Sequence, residues 1–252
     1  MKMWKKITQR IAFGTEGFDP VAYWRERADD PGTMSVMWQN RAFNELVDRD
    51  EWAVINDTLP ERRGAVLDLG CGTGRVAERL ADRFEDYTGV DLDTMVAEAR
   101  RRLPALATSF VASTVSDFDF PSERYDFVLS LGCVATACTR ETLPDIARKI
   151  AGSLKPRGRV TLIEPFHTSP VLTRGCKMKP PEVSTIFTSL GLRELRRGGI
   201  LCFPARMMLS EPAFERVPRL TRGVYEWSEG LARRFPSALA DYAVLSFEKS
   251  AS

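Results

Sequence analysis

At the end of a short apolar segment, Ala65-Val66-Leu67-Asp68-Leu69, the chain runs into Gly70-Cys71-Gly72-Thr73-Gly74. A segment of this length, broken only by one acid, suits a strand buried on both faces. The glycines then remove side chains where a ligand could approach the backbone. A helical pattern follows from about Arg75 to Phe84, and its N-terminus would face the same ligand. Glycines can serve a turn alone, but three at this place, after Asp68, make that reading weak. A strand, a glycine turn and a helix in this order point to an α/β chain with a binding site beyond a strand end.

The rest of the chain continues the alternation. Short apolar runs at Tyr87–Asp91, Ser109–Ala112, Tyr125–Leu131 and Arg159–Glu164 read as strands. Helical patterns at Met95–Leu103 and Leu143–Leu154 separate them. Later segments read as a short helix at Pro180–Ser189, a strand at Leu192–Arg197, helix over 211–235 interrupted at Pro218, and a last strand at Ala243–Phe247. The expected fold is α/β: a doubly wound, mostly parallel seven-stranded sheet with helices on both faces. Residues 1–60 are expected to form an N-terminal helical cap, with one helix starting at Pro20 and stopped by Asp30-Pro31-Gly32, and a second over Val36–Ile55. Residues 61–252 form the main domain, and the late helices are an insertion in it.

Composition narrows the function classes. The 252 residues include 36 basic and 34 acidic side chains, a formal charge of +2, which gives no basic stripe of the kind a nucleic-acid binder carries. With 44% hydrophobic and 28% charged residues the chain can bury a core and is neither disordered nor fibrous. The five cysteines, an odd number, match neither a disulfide framework nor a zinc site, so the expectation is a reducing cytoplasm and no metal. Met1–Arg10 is basic without a following apolar run, and no window reaches membrane-span length, so neither a secretory signal nor stable membrane insertion is expected. The chain should act as a monomer or homodimer on a small molecule.

Gly72-Thr73-Gly74-Arg75-Val76-Ala77 has the spacing of a dinucleotide fingerprint, but that fingerprint explains neither Gly70 nor Asp68. No lysine follows the glycines, so a P-loop fails. Asp68-Leu69-Gly70-Cys71-Gly72-Thr73-Gly74 resembles the first motif of the class I methyltransferases, which use S-adenosylmethionine (SAM). Gly89-Val90-Asp91, Arg124–Ser130 and Leu154–Arg159 resemble that family's second strand, fourth strand and the turn before its fifth. The resemblance spans roughly residues 60–165 and the final strand. It implies SAM as the cofactor, with Gly70, Cys71, Gly72 and Gly74 beneath its amino-acid part and Asp68 toward its amino group. It implies Asp91 on both ribose hydroxyls, Leu92 and Met95 around ribose and adenine, and Ser130 at the fourth strand end. The family often has an adenine-binding acid after the third strand. Here Ser113, Thr114 and Val115 stand in that loop, so a hydroxyl, Asp117 or a backbone carbonyl must substitute.

For the chemistry, the sole histidine, His167, follows Glu164-Pro165-Phe166 at the end of the fifth strand, the side on which ligands bind in such sheets. Its ordinary pKa suits proton transfer near neutrality, against the bland reading of a loop histidine making a backbone contact. Glu164 is a second candidate, as base or as orienter of the histidine. Arg206 joins a guanidinium to an apolar run and could hold an anionic group. Tyr23, Trp24 and Trp38 could close over cofactor or acceptor, with packing as the plainer alternative. Segments 165–180 and 200–240 are the expected acceptor-site elements. The fourth strand lacks the Asn/Asp-Pro-Pro-aromatic run of DNA amino-methylating enzymes. The expected activity is methyl transfer by in-line displacement to a small molecule, foremost a hydroxyl of a metabolite or glycan. A nitrogen, carbon, lipid or carrier-bound acceptor, another SAM or dinucleotide enzyme, and a noncatalytic binding protein remain as alternatives.

Overall fold

The computed structural model describes residues 19–27, 36–167 and 176–251. The expected stop at 30–32, and residues 168–175 within the expected acceptor segment, lie outside them. Seven strands, β1 (Ala65–Leu69), β2 (Asp86–Asp91), β3 (Phe110–Ala112), β4 (Tyr125–Leu131), β5 (Leu154–Glu164), β6 (Leu192–Cys202) and β7 (Ala240–Lys249), form one sheet in the order β3-β2-β1-β4-β5-β7-β6. The pairs from β3 through β5 are parallel, and β7 runs antiparallel to both β5 and β6. The strand order reverses at β1 and β4, where a crevice opens beyond their carboxyl ends.

Both faces of the sheet are covered, which is why its central strands are apolar almost throughout. Val66, Phe127 and Leu129 point to one face and pack with Phe43, Val47 and Ile55 of the helix Arg41–Thr58. Leu67, Leu69 and Val128 point to the other, against Leu143, Ile146 and Ile150 of the helix Leu143–Ser153. In that second helix the buried positions recur at three and four, the apolar stripe of a surface helix.

We number the helices in chain order as α1 (Pro20–Arg27), α2 (Arg41–Thr58), α3 (Ala77–Ala81), α4 (Asp93–Arg102), α5 (Val134–Ala137), α6 (Leu143–Ser153), α7 (Pro180–Ser189), α8 (Phe203–Leu209), α9 (Pro218–Arg234) and α10 (Pro236–Leu239). The α2 helix starts five residues later than its pattern suggests. Asn40 caps it, accepting the Phe43 amide at 3.2 Å, and Asn44 bonds both the amide and the carbonyl of Trp38. The intervening stretch is thereby held as a turn. The run Ile200–Leu209 divides into the end of β6 and α8, with Pro204 in the first helical turn. No helix among the described residues is long and apolar enough to cross a membrane.

Candidate active site

A cavity of about 450 Å³ lies at the reversal of strand order. Gly70, Gly72, Asp91, Leu92, Met95 and the loop 113–116 form one part of its wall. Tyr23, Trp24, Trp38, Arg206, Asp241 and Tyr242 form another. The first group comes from the ends of β1, β2 and β3 and the first turn of α4. The second comes from α1, the turn before α2, α8 and the start of β7.

The glycine turn is bare because the chain cannot be built otherwise. Gly72 has φ +56, a left-handed conformation that side chains disfavour, and a Cβ there would stand 2.7 Å from Val36 Cγ1. At Gly70, φ +78, a Cβ would collide with the Cys133 side chain. The turn is tied to β2 through Val90, whose carbonyl accepts the Gly70 amide at 2.8 Å, and through Asp91. Asp91 Oδ2 accepts the Gly72 amide at 2.7 Å and its Oδ1 accepts the Leu92 amide at 2.7 Å. Each oxygen keeps a lone pair for a further donor. Burial holds the Asp91 carboxyl above its usual range, opposed by those two amides.

Several residues named from the sequence stand behind this wall. Asp68 is fully enclosed and accepts the Tyr87 hydroxyl at 2.9 Å; burial pushes its pKa up to about 7. Cys71, Gly74 and Ser130 are likewise outside the lining. Glu164, with no exposed surface, takes the Ser130 hydroxyl at 2.6 Å and the amides of Cys133, Val134 and Ala135 at 3.0–3.1 Å. Its carboxylate thus caps the turn into α5, the turn that carries Gly132 and Cys133 into the cavity. Burial pushes its pKa up to about 7 against these four donors.

The second part of the wall is ionic and aromatic. Arg206 forms an ion pair with buried Asp241, and its guanidinium lies 6.0 Å from the Trp38 ring centre. Asp241 Oδ1 has no hydrogen-bond partner among the described residues. His167 Nε2 bonds the Asp241 main-chain carbonyl at 2.6 Å and lies 3.6 Å from that Oδ1. A carbonyl only accepts, so Nε2 carries the proton. The imidazole is not part of the cavity wall. Tyr242 stands over Gly132, where a Cβ would come within 3.7 Å of its ring; burial raises the phenol above its usual range and keeps its hydroxyl protonated. Below the turn Arg75 pairs with buried Glu51 at 2.8 Å. No cluster suited to a metal ion occurs among the described residues.

A family model described as "Methyltransferase domain" matches residues 66–158. Residues 66–158 thus carry a methyltransferase domain, set on a Rossmann-like sheet. Among curated relatives, the methyltransferase domain is 33% identical over 116 residues to the dTDP-4-amino-2,3,4,6-tetradeoxy-D-glucose N,N-dimethyltransferase of Saccharopolyspora spinosa, covering 45% of this chain and 44% of that protein. It is 34% identical over 122 residues to the trans-aconitate 2-methyltransferase of Methylobacterium nodulans, covering 46% and 45%. These matches span about half the length of each relative. Among solved structures, a phosphoethanolamine N-methyltransferase 2 of Haemonchus contortus, in complex with S-adenosyl-L-methionine, superposes with TM-score 0.60 at 17% identity, over 80% of this chain and 52% of that one. The methyltransferase in complex with the Trm112 activator of Haloferax volcanii superposes with TM-score 0.62 at 19% identity, over 92% and 99%. At these identities the structural likeness is one of fold.

Within the methyltransferase domain, Gly70, Gly72, Asp91, Leu92, Met95, Ser113, Thr114 and Val115 meet on one cavity with Tyr23, Trp24, Trp38 and Arg206. Glu164 and His167 do not join them. Asp241 and Tyr242 do, and the sequence reading missed both. The only signal was an Asp-Tyr pair directly ahead of the last apolar run.

Proposed function

We propose that this methyltransferase domain binds SAM in the glycine cradle and transfers its methyl group to a small molecule, foremost a hydroxyl of a metabolite or glycan, by in-line displacement. One observation carries the reading: the bare backbone at Gly70 and Gly72 and the spare lone pairs of Asp91 face the same cavity as Asp241. Two adjacent ribose hydroxyls suit those lone pairs, and the open backbone suits an amino-acid tail, so the residues fit the cofactor. SAM, when bound, supplies a sulfonium-activated methyl group.

The chain's own residues supply orientation and exclusion of water. The Asp241 Oδ1, buried and without a donor, accepts the hydrogen of an acceptor hydroxyl. The protonated Tyr242 hydroxyl donates to the acceptor beside Gly132. Tyr23, Trp24 and Trp38 enclose its apolar part, and Arg206 neutralises Asp241. His167 acts through Asp241, holding its main chain, and Glu164 acts by fixing the turn at Gly132 and Cys133. The same Asp241 oxygen would accept an N–H. An amine acceptor is therefore the second reading, supported by the relatives named as N-methyltransferases.

The test has two arms. Calorimetry on metal-free protein should give SAM binding and no comparable binding of a dinucleotide. A screen of hydroxyl and amine acceptors with methyl-labelled SAM, with the product's methylated atom assigned by NMR, should return an O-methyl product. Dinucleotide binding without SAM binding overturns the cofactor reading, and an exclusively N-methylated product favours the second acceptor.

A further inference from the structure

Five of the six large apolar side chains exposed among the described residues fall between Met208 and Phe235. They gather around α9. That helix buries Thr221, Tyr225, Ser228, Glu229 and Ala232. Exposed Val217, Leu220 and Trp227 recur with half-buried Val224 and Leu231 at spacings of three and four along one flank, so they form one stripe, with Val224 reaching in to the core. Trp227 is 70% exposed and Leu220 55%. The helical neighbours of Trp227 four residues before and three after are Gly223 and Gly230, where an added Cβ would meet nothing within 4 Å. The indole therefore projects clear of the helix on both sides. Glycine is a poor helix former, so two of them in an exposed helix interior do nothing for the fold itself.

The charges beside the stripe that lack an ion-pair partner have one sign, since exposed Glu215 and Glu226 stand 3.8 Å from Arg41 and Arg49. Arg216, Arg219, Arg222 and Arg234 are exposed, and none forms an ion pair with an acid of the described residues. Arg233 is used by Asp50 at 2.7 Å, and Glu226 is the single exposed acid of α9, 3.8 Å from Arg49. A second copy seated on this face by a two-fold axis would bring the free arginines against one another. A nucleic acid would match the arginines and leave the aliphatic members of the stripe in water. A bilayer surface of anionic lipid matches both at once, with guanidinium groups on headgroup phosphates and Trp and Leu at the acyl boundary.

We infer that the outer face of α9 docks the protein on an anionic membrane surface. The helix lies in the plane of the interface and does not span it. The experiment is co-sedimentation of the full chain with vesicles of phosphatidylcholine alone and of phosphatidylcholine mixed with phosphatidylglycerol. The protein should sediment only with the mixed vesicles, and added salt should release it. The double variant Leu220→Ser/Trp227→Ser should partition roughly tenfold more weakly or worse, and Arg219→Gln/Arg222→Gln should do the same. Both variants alter exposed side chains, so their melting temperatures should equal that of the parent. No sedimentation of the parent with mixed vesicles, or equal sedimentation of the Leu220→Ser/Trp227→Ser variant, overturns the inference. So does a concentration-dependent dimer that Trp227→Ser abolishes, since a second copy would then cover the face.

Discussion

Gly72 donates its amide hydrogen to the Asp91 carboxylate at 2.7 Å. This bond joins the turn after β1 to the end of β2 without any help from the sheet's own ladder. One side chain thereby fixes the cradle and stands at its rim.

Asp91→Asn should separate these two tasks. The amide keeps one accepting oxygen and turns a donor toward either the Gly72 or the Leu92 amide. Loss of a charge-assisted acceptor is worth about 1.5–3 kcal/mol, so SAM should bind roughly tenfold to a hundredfold more weakly. The melting temperature of the cofactor-free variant should fall by only a few degrees. Calorimetry paired with a thermal melt checks both, and unchanged affinity removes Asp91 from the site.

Gly72→Val should be harsher than Asp91→Asn. Its backbone sits at φ +56, which costs a side-chain-bearing residue about 1–2 kcal/mol, and its Cβ would press on Val36. The branched side chain would also enter the cradle. SAM binding should be lost at concentrations that saturate the parent. A valine variant that binds at parental strength would show that the cofactor does not pass over this turn.

Glu164 gives the fold a dependence on pH. Its pKa is raised from 4.5 to about 7 in the folded chain, so between those values the folded state holds a proton that the unfolded state has released. Stability contributed by that proton is present at low pH, declines as pH rises from about 4.5 to 7, and is gone above. Asp68, raised from 3.8 to about 7, adds to the same slope. Glu164→Gln should flatten the decline in denaturation midpoint over this window while lowering stability near pH 7, where its oxygen can keep the bonds made at Oε1 but its NH2 then faces the Ala135 amide, donor against donor. A parental slope in the glutamine variant would assign the titration elsewhere.

His167→Ala and Asp241→Asn together test the acceptor end. A general base is worth roughly a hundredfold to ten-thousandfold in rate. With Nε2 committed to the Asp241 carbonyl, His167→Ala should cost less than Asp241→Asn in single-turnover methyl transfer. SAM affinity should stay near parental in both. The opposite order, with the alanine variant losing the pH dependence of transfer, would return the role of base to the imidazole.

The parallel half of the sheet was legible because each strand is a short apolar run and each is followed by a turn or cap. The site was legible where backbone geometry demands a residue type, as at Gly70, Gly72 and Asp91. It was hidden where topology decides. Glu164 ends a strand on the binding side, but the strand's alternation aims its side chain, like that of Ser130, at the turn entering α5. Asp241 and Tyr242 precede the last apolar run, and nothing local says that this strand runs against its neighbours. The antiparallel direction alone brings the start of β7 to the edge where β1, β2 and β4 end.

That reversed strand also sets a timetable for synthesis. Through β5 a growing chain can order its sheet, glycine turn and Asp91 as they emerge. Yet β7, the last of the seven strands to be made, is inserted between β5 and β6 and carries Asp241 and Tyr242. Synthesis therefore delivers every residue of the cradle well before the acceptor wall, begun by Tyr23, Trp24 and Trp38, can be completed by Asp241 and Tyr242.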